Sequence, residues 1–318
     1  MANRIESGSR GFQARVALSF PALCVASSGK PKGSGADVMK FGIIGLGRMG
    51  SALARRYAAQ GADVATWTRS GGVLDGIPSR PDLPALVARS DVLLSSLFDD
   101  VAVSAVLDQI LDCDLAGKLI IETSTVTPSC LTTRIDALTA GGAEAVDAPI
   151  SGGPELVEAG KCGLFIGGTD QAADRAMTAL EPLTERKFHV GPLGTGVVMK
   201  TINNGIAQSY FAGLVEVLRL AKRAGLPLET VLRILGTGPA GLPMITDRIP
   251  KILGHDPEIG FTVEALHKDN AVFQKVAAEF DVDTPTLRAA EAMEREALAD
   301  GLARADPASI FAAAYRDA

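Results

Sequence analysis

Lys200 and Asn204 stand four positions apart in a run, 197 to about 224, whose Ala and Leu spacing predicts one long helix. The two side chains therefore share a face. A lysine beside an amide in an otherwise apolar neighbourhood suits acid–base work, because burial disfavours the ammonium and draws its pKa towards neutrality. Such a lysine donates a proton to a carbonyl in one direction and accepts one from a hydroxyl in the other. Asn204 would orient the lysine or hold the substrate oxygen. Taken alone, the pattern is equally that of a surface lysine on an amphipathic helix. Upstream, Asp147-Ala148-Pro149-Ile150-Ser151-Gly152-Gly153 sets two glycines after a serine. Ser151, Gly152 and Gly153 then offer a hydroxyl and open backbone N–H groups, which is a seat for a carboxylate or simply a turn.

A second constellation lies nearer the N-terminus. Gly45-Leu46-Gly47-Arg48-Met49-Gly50 follows the apolar run 41–44 and precedes 51–60, which has helical spacing. In a strand–turn–helix setting this glycine pattern is a dinucleotide cradle: Gly45 permits the turn, Gly47 admits the pyrophosphate, and Gly50 packs helix on strand. The following strand, 63–67, ends in Thr68-Arg69-Ser70. A cradle for NAD has Asp or Glu there for the ribose hydroxyl. A guanidinium flanked by two hydroxyls instead clamps a 2′-phosphate, so the cofactor reading is NADP, with NADPH preferred over NADH. The bland alternative makes Arg69 a solvated loop residue. Leu97, in Leu97-Phe98-Asp99, and Thr125, in Ser124-Thr125, fall at the ends of strands expected at 91–97 and 118–125, where ligands of such sheets sit; ordinary helix caps also explain the hydroxyls.

These motifs need a scaffold. Strand and helix patterns alternate up to 193, with a helix at 101–111, and predict an α/β, doubly wound parallel sheet of the Rossmann type. From 197 onward the pattern is helical (231–235, 242–253, 263–280 and 285–299), so an all-helical C-terminal domain, joined by the long helix, is expected at 194–318 after a cofactor-binding domain at 39–193. Leu242, Pro243, Met244, Phe211 and Phe261 are candidates to line a pocket for a short, partly apolar acid. The length of 318 residues, 47% of them hydrophobic, supports two cores. A net charge of −6 without basic runs argues against nucleic acid and anionic membranes as partners, and no apolar run is long enough to span a bilayer. Four scattered cysteines and three histidines give neither a disulfide framework nor a zinc site, and suit a cytoplasmic protein with reduced thiols. Residues 1–38 differ in character, with Arg4, Arg10 and Arg15 before a broken apolar stretch and Gly33-Ser34-Gly35. They are expected to be a disordered or non-functional extension, or a targeting segment, with Met39 as the alternative start.

In order along the chain, the Gly45–Gly50 motif, Asp147 to Gly153, Gly160-Lys161-Cys162-Gly163-Leu164-Phe165-Ile166-Gly167-Gly168, Gly194-Thr195-Gly196 running to Lys200 and Asn204, and Lys268-Asp269 together resemble the β-hydroxyacid dehydrogenase family. The resemblance runs from about Met39 to the C-terminus. It implies Lys200 as general acid/base, Ser151, Gly152 and Asn204 on the substrate, Thr125 on the cofactor, and Lys268 near both nicotinamide and substrate. It implies a sheet-edge strand at 160–168 and a homodimer or tetramer packed through the helical domain. The implied substrate is a small carboxylate-bearing alcohol or its semialdehyde. Phe98 departs from the family pattern, which usually has proline there. Imine reductases share the fold but usually replace the lysine with Asp or Tyr, and some relatives that lack it are non-catalytic oligomerisation modules; Lys200 argues against both.

Overall fold

The computed structural model describes residues 39–318; the expectation for 1–38 lies outside the described residues. The sheet has eight strands: β1 (Lys40–Ile44), β2 (Asp63–Trp67), β3 (Val92–Ser95), β4 (Leu119–Glu122), β5 (Glu144–Asp147), β6 (Ile150–Ser151), β7 (Gly163–Gly167) and β8 (Lys187–Gly191). Their order is β2-β1-β3-β4-β5-β7-β6, with β8 pairing β7. The first five run parallel, and β7 is antiparallel to β5 and β6. Chain order reverses between β1 and β3, which opens the ligand crevice at the carboxyl ends of those strands.

Burial on both faces explains why β3 and β4 read as unbroken apolar runs. On one side Val92, Leu94 and Ile121 join Leu53 and Tyr57 of α1 (Arg48–Ala59). On the other, Leu93 and Ile120 join Leu86 of α2 (Leu83–Arg89) and Leu107 of α3 (Asp100–Ile110). Four further helices complete this half: α4 (Ser129–Thr132), α5 (Ile135–Ala140), α6 (Pro154–Glu158) and α7 (Asp170–Ala179). Helix α8 (Thr195–Arg223) then leads into α9 (Leu228–Thr237), α10 (Pro243–Thr246), α11 (Ile249–Ile252), α12 (Val263–Glu279), α13 (Pro285–Ala299) and α14 (Ala308–Arg316). Their core gathers around Phe211, Leu218, Leu232 and Phe311.

Three details correct the expectations. The strand at 160–168 is not a sheet edge, because β8 lies beyond it. The Lys187-Phe188-His189-Val190-Gly191 segment mixes polarity because that edge is largely exposed, which hid it from a pattern reading. The helix expected over 242–253 is two short helices, broken before Pro250, whose ring excludes continuation from the preceding turn. Helix α14 was concealed in the alanine-rich tail, although Ile310, Phe311 and Ala314 have helical spacing and are buried.

The N-terminus of α8 is tied to the sheet by one side chain. Asp147, at the end of β5, accepts from the N–H of Gly194 (2.6 Å) and of Val197 (2.8 Å). A helix N-terminus carries unpaired donors and positive partial charge, and Asp147 meets both from 47 residues away. Burial lifts the Asp147 carboxyl to about 6, against the opposing pull of its backbone donors. The approach is close: a Cβ on Gly196 would stand 2.7 Å from Asp147 Oδ2 and would run into the Phe165 carbonyl. Gly196→Ala should therefore force helix and strand apart and destabilise the fold by about 1–3 kcal/mol, read as a lower urea midpoint with an unchanged slope.

Candidate active site

The cradle begins where β1 ends. Gly45 has φ +92, and a Cβ there would meet the Ser96 carbonyl, so only glycine makes this turn without displacing β3. A Cβ on Gly50 would strike the Gly45 carbonyl, whereas one on Gly47 would meet nothing within 4 Å. Gly47 thus leaves open space in front of α1, whose first turn has no side-chain cap and no acidic residue. These features fit a dinucleotide pyrophosphate. Leu46 and Arg48 border the space and join Gly47, Ser51, Arg55, Glu155 and Glu258 around a cavity of about 640 Å³. Met49 instead packs against the core. Beyond β2, Arg69 and Ser70 are exposed, and the Thr68 and Ser70 hydroxyls lie 3.5 Å apart. The three are held beside the cradle, because Gly45 N–H donates to the Trp67 carbonyl (2.8 Å).

The ends of β3 and β4 form the floor. Leu97 N–H donates to Ser124 Oγ (2.8 Å). Glu122 is fully buried behind them, receiving the Ser95 hydroxyl and the Ser124 N–H; burial raises its pKa, and the serine donors oppose that rise. Asp99 caps α3 by accepting from Ala102 N–H (2.8 Å), so at that residue the helix-cap alternative holds.

One turn into α8, Lys200 reaches the Ile150 carbonyl at the start of β6, to which its ammonium donates. Lys200 is 6% exposed. Burial, more than the nearby Lys268, brings its pKa down to about 8, and Asp269 partly counters this. Asn203, which the sequence pattern passed over, bridges the group: its Nδ2 donates to Ser151 Oγ (3.3 Å) and to Asn204 Oδ1 (2.8 Å). The available signal was its adjacency to Asn204 in Asn203-Asn204. Lys200, Asn203 and Asn204 therefore gather on Ile150–Ser151. Gly152 is exposed beside them with φ +127. Gly153 is less open than its motif suggests, since the Glu155 carboxylate folds back within van der Waals range of its Cα side. Lys268 on α12 donates to the Thr125 carbonyl (2.9 Å) and pairs with Asp269 (2.6 Å). Phe211 does not line a pocket; it is core, edge-on to Phe311, and Leu242, Met244 and Phe261 pack on the same cluster. Their apolar character reflects the helical core, which a sequence pattern cannot distinguish from a cavity wall.

Among the described residues no cluster of three or more His, Cys, Asp or Glu side chains is placed to hold a metal ion, and no helix is long and apolar enough to cross a membrane. A doubly wound sheet with a glycine cradle at its switch point, followed by a long helix carrying a buried lysine, defines an NAD(P)-binding oxidoreductase. Residues 40–191 match the family model described as the NAD binding domain of 6-phosphogluconate dehydrogenase, and 194–314 match that described as NAD-binding of NADP-dependent 3-hydroxyisobutyrate dehydrogenase. The chain belongs to the β-hydroxyacid dehydrogenase family, whose members act on CH–OH groups. It is 27% identical to 2-(hydroxymethyl)glutarate dehydrogenase of Eubacterium barkeri, over 86% of this chain and 94% of that protein. It is 28% identical to glyoxylate/succinic semialdehyde reductase 1 of Arabidopsis thaliana, over 86% and 98%. The solved Mycobacterium tuberculosis 3-hydroxyisobutyrate dehydrogenase with L-serine shares the fold at a TM-score of 0.77 and 21% identity, covering 86% of this chain and 98% of that one.

Lys200 sets a measurable pH dependence of stability. Its pKa of about 8 in the fold lies below the ordinary 10.5, so between those values the native state binds fewer protons than the unfolded chain. The penalty of burying Lys200 is full below pH 8 and is relieved as pH rises towards 10.5. Urea titration should find Lys200→Met more stable than wild type at pH 7, by about 3 kcal/mol at most, with the gap shrinking by pH 10. A gap independent of pH would contradict the burial.

Proposed function

We propose that the protein is an NADP(H)-dependent oxidoreductase that interconverts a small 3-hydroxy acid, or a similar carboxylated alcohol, and its semialdehyde. The observation that carries this reading is Lys200, buried, tuned to about 8, and set beside Ser151, Asn203 and Asn204 at the sheet end. Bound nicotinamide supplies or accepts the hydride. Gly45, Leu46, Gly47, Arg48 and Gly50, with the backbone alone of Met49, whose side chain packs against the core, would carry its pyrophosphate, Thr68, Arg69 and Ser70 the 2′-phosphate, and Leu97 and Thr125 the nicotinamide side. The Lys200 ammonium donates a proton to the substrate carbonyl oxygen in reduction, and its neutral amine takes the hydroxyl proton in oxidation. A pKa near the working pH keeps both forms populated. Asn204, steadied by Asn203, orients the substrate oxygen. The Ser151 hydroxyl and the Gly152 backbone take the carboxylate, joined by the Gly153 backbone once the Glu155 side chain swings aside, with Lys268 nearby as a counter-charge. Lys200 supports this chemistry over imine reduction and over a non-catalytic role. The same reading divides the chain at 39–193 and 194–318 and makes it a cytoplasmic homodimer or tetramer.

Turnover of a panel of small carboxylated aldehydes, with a cyclic imine included, tests the proposal. One aldehyde reduced with NADPH preferred supports it; the imine alone as substrate overturns it. For the aldehyde reduced, kcat/KM should be level below pH 8 and fall above it; for the reverse oxidation it should rise up to pH 8 and then level off. Lys200→Ala should lower turnover by about 10²–10⁴-fold and leave NADPH binding intact. Arg69→Asp should cut the preference for NADPH over NADH by about 10–100-fold in dissociation constants, as expected for loss of charge-assisted bonds; an unchanged ratio would make Arg69 a loop residue only.

A further inference from the structure

Phe98 is a large aromatic left 52% exposed in the loop that leaves β3. It belongs to none of the buried core clusters, and a charge stands over its ring: Lys268 Nζ is 5.6 Å from the centroid, within cation–π range. The same ammonium reaches the Thr125 carbonyl (2.9 Å) and Asp269 (2.6 Å). Its three N–H directions are thereby distributed among a carbonyl, a carboxylate and an aromatic face. Phe98 and Thr125 follow β3 and β4, and the Leu97 N–H to Ser124 Oγ bond fixes the spacing of the two loops. Lys268 comes from α12, on the helical side. Its side chain therefore crosses from α12 to both loops, which leave adjacent parallel strands at the carboxyl edge of the sheet, β3 being one of the two strands that flank the point where the strand order reverses.

We propose that Phe98 is a positioning residue whose ring holds the Lys268 ammonium against the Thr125 carbonyl, latching α12 to the ends of β3 and β4 so that the pair governs release of the nicotinamide cofactor. The inference rests on the cofactor reading given above. The ring acts through its negative face and not through its volume. Leucine fills much of the same space without that face, whereas tyrosine retains it.

The protein contains its own reporter. Trp67 is its one tryptophan; it ends β2, and its carbonyl receives the cradle's Gly45 N–H. Quenching of its emission follows NADPH binding, and stopped-flow displacement gives the dissociation rate without turnover. Phe98→Leu and Lys268→Met should each speed NADPH release by about three- to fivefold, the range of a partly exposed cation–π contact. The double variant should be no faster than Lys268→Met, and Phe98→Tyr should release at the wild-type rate. Phe98→Leu and Phe98→Tyr should retain the wild-type Tm, since the ring is half exposed. Release from Phe98→Leu at the wild-type rate, or effects that multiply in the double variant, would overturn the latch. If the wild-type emission is silent and calorimetry detects neither NADPH nor NADH, the cofactor reading itself falls and the latch with it.

Discussion

The seating of α8 on Asp147 governs where the buried Lys200 comes to rest. A 29-residue helix leaves the sheet and carries into the helical half a lysine that must stop beside Ile150 and Ser151. Its start is fixed by a carboxylate that accepts two backbone donors and faces the positive end of the helix. A glycine at the contact lets helix and strand approach closer than any other residue permits. Lys200 lies one turn further on, so its height above the sheet follows from the cap, and its bond to the Ile150 carbonyl fixes its direction. The environment of the lysine is thereby set by backbone geometry.

The cofactor side uses the same economy of means. Gly45 and Gly50 are required by neighbouring backbone, whereas Gly47 faces open space. Ser95, Ser124 and Glu122 fix the ends of β3 and β4 from behind. In the parallel register Glu122 pairs with Asp147, which sets two buried carboxyls side by side at the sheet's carboxyl edge. One braces the ends of β3 and β4 and the other anchors α8, so the strand ends and the lysine-bearing helix share a single support.

Much of the fold was readable because hydrophobic period and glycine punctuation are local. The strand 63–67 has the bounds its sequence predicts, and the 285–299 helix likewise. The clustering of Lys200, Asn204 and Ser151 was foreshadowed by helical spacing and by motif. What escaped was non-local or ambiguous. Asp147 caps a helix 47 residues downstream, and no spacing rule reveals a cap supplied in trans. The edge strand β8 is half exposed and lacks alternation. Phe211, a pocket-wall candidate by sequence along with 242–244 and 261, is core, because a core and a cavity draw on the same side chains. Glu155 over Gly153 follows from a rotamer, which the chain order does not encode.

The two contacts that fix Lys200 are made with main-chain groups: the cap grips N–H donors, and the ammonium rests on a carbonyl. Every residue except proline possesses both groups, so side chains of α8 to α14 other than those beside Lys200, such as Asn203, Asn204, Lys268 and Asp269, can drift without moving the lysine. The architecture separates what is inherited from what is free to vary. A lineage built on it can remodel the helical half while the buried lysine keeps its place above the sheet at each step.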